Sequence, residues 1–121
     1  MADNKRYITH EQENGSVMIS EDVIADIIAR AIIEVEGVEG LEMKPGFDIA
    51  ELIGKNWGKG MKITISQDNE LSISCNVIIK YGQPVVSVAK NIQDAVTSAV
   101  ESMTGVKVAV VDVNICGISR Q

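Results

Sequence analysis

Between Leu71 and Tyr81 apolar and polar side chains alternate, with Ile78 the one apolar residue on the polar phase. Leu71, Ile73, Cys75, Val77, Ile79 and Tyr81 share one phase, with Ser72, Ser74, Asn76, Ile78 and Lys80 on the other. A period of two is the mark of a half-buried antiparallel strand. Lys62–Ser66 alternates in the same way, and Gln67–Glu70 reads as a turn, so the two strands predict a hairpin. Gly82 breaks the second strand, and Pro84 suits the first turn of a helix, where its missing N–H costs nothing. From Val85 to Met103 the period changes to 3.6, with a stripe through Val88, Ile92, Val96 and Val100. Gly105 stops that helix, and a valine-rich strand runs from Val106 to Ile115. Its phase changes at Val110–Val111, which predicts either a bulge or burial on both faces.

The first half follows the same logic. Val17–Ile19 reads as a short strand. Ser20 then has the character of a helix N-cap, with Glu21 and Asp22 where the helix dipole favours negative charge. Val23, Ile24, Ile27, Ile28, Ala31, Ile32 and Val35 form a helical stripe that Gly37 ends. A short strand over Val38–Met43 follows. Residues 44–60 are irregular, with Pro45, Gly46, Gly54, Gly58 and Gly60 as loop markers; Ile49, Leu52 and Ile53 allow one short helix there. The predicted order is β-α-β-β-β-α-β. It is an α+β fold, with two amphipathic helices packed on one face of a small, mainly antiparallel sheet. Residues 1–14 are expected to be a flexible arm and 15–118 a single domain.

Composition narrows the function. The chain has 121 residues, with 45% hydrophobic but only 3% aromatic, so Val, Ile and Ala must build the core. Its formal charge of −6 opposes binding to nucleic acid backbones and to anionic lipid. The charge is uneven. Glu11–Glu42 holds nine acids and one base, Arg30, whereas Lys44–Lys62 holds four bases against Asp48 and Glu51. This asymmetry fits a partner surface or head-to-tail contact, and equally a set of solvated faces. No run has signal-peptide character or the roughly 18 apolar residues of a membrane span, so a cytoplasmic protein without direct membrane insertion is expected.

Candidate chemistry is sparse. The single histidine, His10, falls in the expected arm, where nothing fixes its tautomer. Cys75 and Cys116 are too far apart for a zinc or two-residue-spaced redox motif and read as core residues, with a disulfide between neighbouring strands as the alternative. Glu39 and Glu42 lack the ligand spacing of a calcium loop. Gly54–Gly60 lacks the order of a phosphate loop, Asn56 standing where a hydroxyl would be needed, and it precedes a strand rather than a helix. No catalytic residue, cofactor or metal is therefore assigned. The candidate contact residues are Phe47, Lys55, Trp57 and Lys59, the only Phe and Trp beside lysines in a glycine-rich loop. The alternative is that Trp57 folds back to cap the sheet.

Val17–Ser20 leading into an Ile-rich helix, followed by Val35-Glu36-Gly37-Val38-Glu39-Gly40, resembles the opening of the alkaline shock protein family of Gram-positive bacteria. Lys80-Tyr81-Gly82, Glu101–Gly105 and Val111–Ile115 resemble its second half, so the resemblance covers about Gly15 to Ile118. It implies a small cytosolic α+β protein without known catalytic activity, linked to cell-envelope homeostasis and, in some members, held at the membrane by an anchored partner. The function expected is a non-enzymatic interaction protein of the envelope stress response that binds a membrane-anchored protein, copies of itself, or both. A nucleic-acid module and a small-ligand or lipid carrier are the alternatives.

Overall fold

In the computed structural model, which describes residues 7–42 and 60–120, the sheet is organised around its longest alternating segment. The elements are β1 (Tyr7–Gln12), β2 (Gly15–Ser20), α1 (Glu21–Ile33), β3 (Val38–Leu41), β4 (Met61–Ile65), β5 (Leu71–Lys80), α2 (Val85–Thr104) and β6 (Val108–Ser119). Leu71, Ile73, Cys75, Val77 and Ile79 of β5 are all buried, and the apolar stripes of both helices join them in one core. Ile24, Ile28 and Ile32 of α1 and Val88, Ile92, Val96 and Val100 of α2 supply the helical side. The α+β class and the two-helix layer are as the periodicities predict.

β5 is the central strand. β4 pairs antiparallel with Leu71–Cys75 and β3 antiparallel with Val77–Ile79. β6 pairs with β5 along its whole length, from Leu71 to Lys80, so β3 and β4 share the opposite edge end to end. They meet at Asn76, whose N–H donates to the Gly60 carbonyl at 2.8 Å and whose carbonyl accepts from Glu42 N–H at 2.9 Å. The chain thus leaves the sheet at Glu42 and re-enters beside it at Gly60. A Cβ on Gly60 would lie 2.9 Å from that of Leu41, and its φ is +87°, so this seam requires glycine.

The β5–β6 pairing is parallel. This refines the mainly antiparallel expectation, and the cause is α2. A helix crossing over one face returns the chain to run in the direction it left. β6 also explains the phase change. Leu71 pairs with Val108 but Ser72 with Val110, which leaves Ala109 as the extra residue of a bulge. Val108 is therefore buried, Val110 turns outward, and Val111, Val113 and Ile115 lie against the core. A second irregularity leaves Cys116 extra, between the Val77–Ile115 and Ile78–Gly117 pairs.

The flexible-arm expectation for residues 1–14 is corrected over its described part. β1 pairs residue for residue with β2, and Ile8 is fully buried in the core. Two further contacts hold it: the Asn69 side-chain amide donates to the Thr9 carbonyl at 3.1 Å. The His10 ring lies against Gly105, where it would be 3.0 Å from any added Cβ. β1 thus joins the core domain and adds a strand to the predicted order.

Candidate interaction surface

The candidate site is the free edge of β6, and its geometry follows from backbone alternation. In a strand, successive N–H and C=O pairs point to opposite sides. Leu71 N–H donates to the Lys107 carbonyl at 2.9 Å, and Tyr81 N–H to the Ser119 carbonyl at 2.7 Å. The odd-numbered residues of β5 therefore face β6. Counting along the register with its two bulges, Asp112 and Asn114 direct their backbone groups at β5, while Val108, Val111, Val113, Ile115 and Ile118 direct theirs away. Among the described residues no strand pairs this outer edge.

The first part of the edge is closed by α2. Glu101 Oε2 accepts from Val108 N–H at 3.0 Å, and Gln93 Nε2 donates to the Val111 carbonyl at 3.0 Å. Two polar side chains thus satisfy backbone groups that would otherwise template another strand. Beyond Val111 no such cap is present among the described residues. The outward backbone of Val113, Ile115 and Ile118 is open, and the side chains of Val113 and Ile115 are only half covered by the core. An added strand would complete both the hydrogen bonding and the apolar cover.

The outer face of the sheet is polar and internally satisfied. Asn114 Nδ2 donates to Asn76 Oδ1 at 3.0 Å and to Ser74 Oγ at 3.3 Å, which pairs off the nearly buried Asn76. No aromatic side chain lies on this face along β5 and β6. The two cysteines are free thiols. Burial, with smaller contributions from Asp112 and Cys116, pushes the Cys75 thiol from 9.0 up to about 12, so it stays neutral and unreactive; Cys116 is exposed. Among the described residues, no three His, Cys, Asp or Glu side chains converge to hold a metal. None of the helices there is long and apolar enough to cross a membrane.

Phe47, Lys55, Trp57 and Lys59, the contact residues expected from sequence, lie outside the described residues. The structure places the point from which their segment departs, at the Glu42–Gly60 seam on the β3–β4 edge. The valine-rich strand expected over Val106–Ile115 is present as Val108–Ser119 and lies at an edge of the sheet. The capping roles of Gln93 and Glu101 were missed. Their only signal is polarity on the exposed side of α2, and it acquires meaning once β6 is known to lie beside that helix.

The fold is similar to solved variants of MamM CTD. One superposes with a TM-score of 0.51 at 15% identity over 83% of this chain and 95% of that one. Among curated sequences, Spy1535 of Streptococcus pyogenes serotype M6, an uncharacterized protein, is 34% identical over 86% of this chain and 79% of its own length. YloU of Bacillus subtilis, also uncharacterized, is 27% identical over 86% of this chain and 88% of its own. The model of the alkaline shock protein 23 family, described by a cell envelope-related function, matches residues 9–120, and the chain belongs to that family.

Proposed function

We propose that this protein works by protein–protein interaction rather than catalysis, as a cytoplasmic component of envelope homeostasis and the stress response. In this reading it joins a membrane-anchored partner, further copies of itself, or both. The observation that carries the reading is the half-closed edge of β6. The helix caps it at Val108 and Val111 and leaves Val113, Ile115 and Ile118 open, so a partner strand can add along the second half of this edge. Family membership supplies the envelope context. The acidic balance and the aromatic-free outer face weigh against the nucleic-acid alternative.

The test is Ile115→Pro. Its N–H faces away from β5, so proline removes a donor to a partner while sparing the internal ladder. Self-association is followed by sedimentation velocity. Membrane attachment is followed by co-sedimentation with bacterial membranes before and after protease treatment of their surface. The expected result is a variant that unfolds near the wild-type temperature but loses association by tenfold or more, about 1.4 kcal/mol. Unchanged association in both assays would refute the β6 edge as the contact.

A further inference from the structure

The side chains and charges along the open half of β6 bear on what adds there, given the reading of that edge as the contact. Val113, Ile115 and Ile118 pair with Cys75, Val77 and Ile79 of β5, which are buried on the helix side of the sheet. Val113 and Ile115 are themselves only half-buried and Ile118 is 46% exposed, because among the described residues no strand lies beyond them. α2 adds to this apolar rim. Its Gln93 and Glu101 hold it alongside Val111 and Val108. Val86 stands two turns before Gln93 on the same helix face, about 10 Å further along, which brings it roughly level with Asn114. It is 82% exposed. Where the helix stops capping the edge with polar side chains, it presents a valine.

Charge gives the open half a direction. β5, β6 and the residue that follows carry three charged side chains: Asp112 where the open half begins, and Lys80 and Arg120 where it ends. Asp112 pairs with Ser74 and Ser119 with Lys80, so Asp112 and Lys80 share the outer face. An edge that is acidic at one end and basic at the other complements its own reverse. A two-fold axis at Ile115 sets Ile115 against its own copy and Val113 against the second copy's Ile118. All three direct their backbone groups outward, so the hydrogen bonds match, and Cys116 is the extra residue against the new strand as it is against β5. On the outer face Asp112 then stands opposite the second copy's Ser119, whose neighbour is Lys80. Two strand spacings, about 10 Å between backbones, are within reach of a Lys–Asp pair. A parallel copy would instead set Asp112 against Asp112. We infer that the partner at the open half of β6 is a second copy of this chain, added antiparallel about a two-fold axis at Ile115, with an apolar ladder on the helix side and Asp112–Lys80 pairs on the other.

The test uses the full chain with Cys116→Ser in two forms, one carrying Asp112→Cys and the other Ser119→Cys, mixed and oxidised with diamide. Opposed residues of a non-hydrogen-bonded antiparallel pair lie about 4.5 Å apart at Cα, within disulfide range. Cys75 is buried and takes no part. The expected product is a disulfide between the two forms, identified by mass spectrometry, with little linkage within either form alone. Sedimentation velocity reads the charges. Lys80→Asp should weaken the dimer several-fold, and adding Asp112→Lys to the same chain should restore it, which general damage to the fold would not allow. Self-association that Ile115→Pro abolishes, without the mixed disulfide or the charge rescue, overturns this two-fold pairing and leaves the β6 edge as the contact. A protein that stays monomeric at high micromolar concentration while Ile115→Pro releases it from membranes also overturns the pairing, and gives the edge to another protein. Association and membrane attachment both indifferent to Ile115→Pro overturn the proposed function and the pairing together.

Discussion

Replacing Cys75 by alanine should flatten the alkaline limb of the stability curve. Cys75 is fully buried on the inner face of β5, and its Sγ–H points at the Asp112 carbonyl 3.6 Å away. A thiolate there would lose its water and lie near the charges of Asp112 and Cys116, so burial first, and those charges second, push the thiol from its ordinary 9.0 up to about 12 in the folded state. The folded state therefore holds the proton more tightly. Its contribution is fully present below pH 9 and is lost as pH rises from about 9 towards 12. The slope is about 1.4 kcal/mol per pH unit once the unfolded thiol is ionised, and the whole window amounts to about 4 kcal/mol. Cys75→Ala also removes a buried sulfur, at a cost on the order of 1 kcal/mol that does not depend on pH. The two effects separate by slope. Urea unfolding of wild type and variant at pH 8, 9.5 and 10.5 should show the variant less stable at pH 8 and equal or more stable at pH 10.5. Tyr and Lys titrations are common to both proteins and cancel in the difference. A stability difference constant across that range would refute the buried-thiol account.

Other substitutions test the fold and the site more locally. Ile92→Ala empties a fully buried position of α2 and should cost about 2–5 kcal/mol in chemical unfolding. Gly105→Ala places a Cβ at φ +75° and 3.0 Å from the His10 ring; it should cost about 1–2 kcal/mol for the backbone alone and shift the His10 ring resonances by NMR. Ser20→Ala removes the hydroxyl that accepts from Val23 N–H at 3.3 Å and should cost about 1 kcal/mol. Gln93→Ala with Glu101→Ala uncovers the Val108 and Val111 backbone and should raise self-association, measured by light scattering against concentration.

The parts of this molecule that were legible in the sequence are those where one periodicity acts alone. β5 and α2 each bury one clean face, so Leu71–Ile79 and Val88–Val100 declare themselves. α1 is equally plain, from its Ser20 cap to the turn before Gly37. β1 is not legible because a single buried residue, Ile8, ties it to the core, and apart from the exposed Tyr7 the rest of its sequence is polar. Asn76 sits on the polar phase of β5 yet is buried, because the β3–β4 seam and Asn114 close around it, a condition set by residues far away in the chain. The parallel sense of β6 depends on where α2 returns the chain, which local pattern does not encode. For the site, the edge strand was visible as a valine-rich run. Which part of it is open could be read only after Gln93 and Glu101 were placed over its first residues.

In the proposed function, the open half of the β6 edge is where this protein meets its partner. Hydrogen exchange at the Val113, Ile115 and Ile118 amides, in dilute protein and in the assembled state, tests it directly. In dilute protein these outward N–H groups should exchange fast, while those of Asp112 and Asn114, bonded to β5, are protected. On assembly the Val113 and Ile115 amides should become protected as a partner strand takes them up. Assembly that leaves both amides exchanging at their dilute rate would contradict the account.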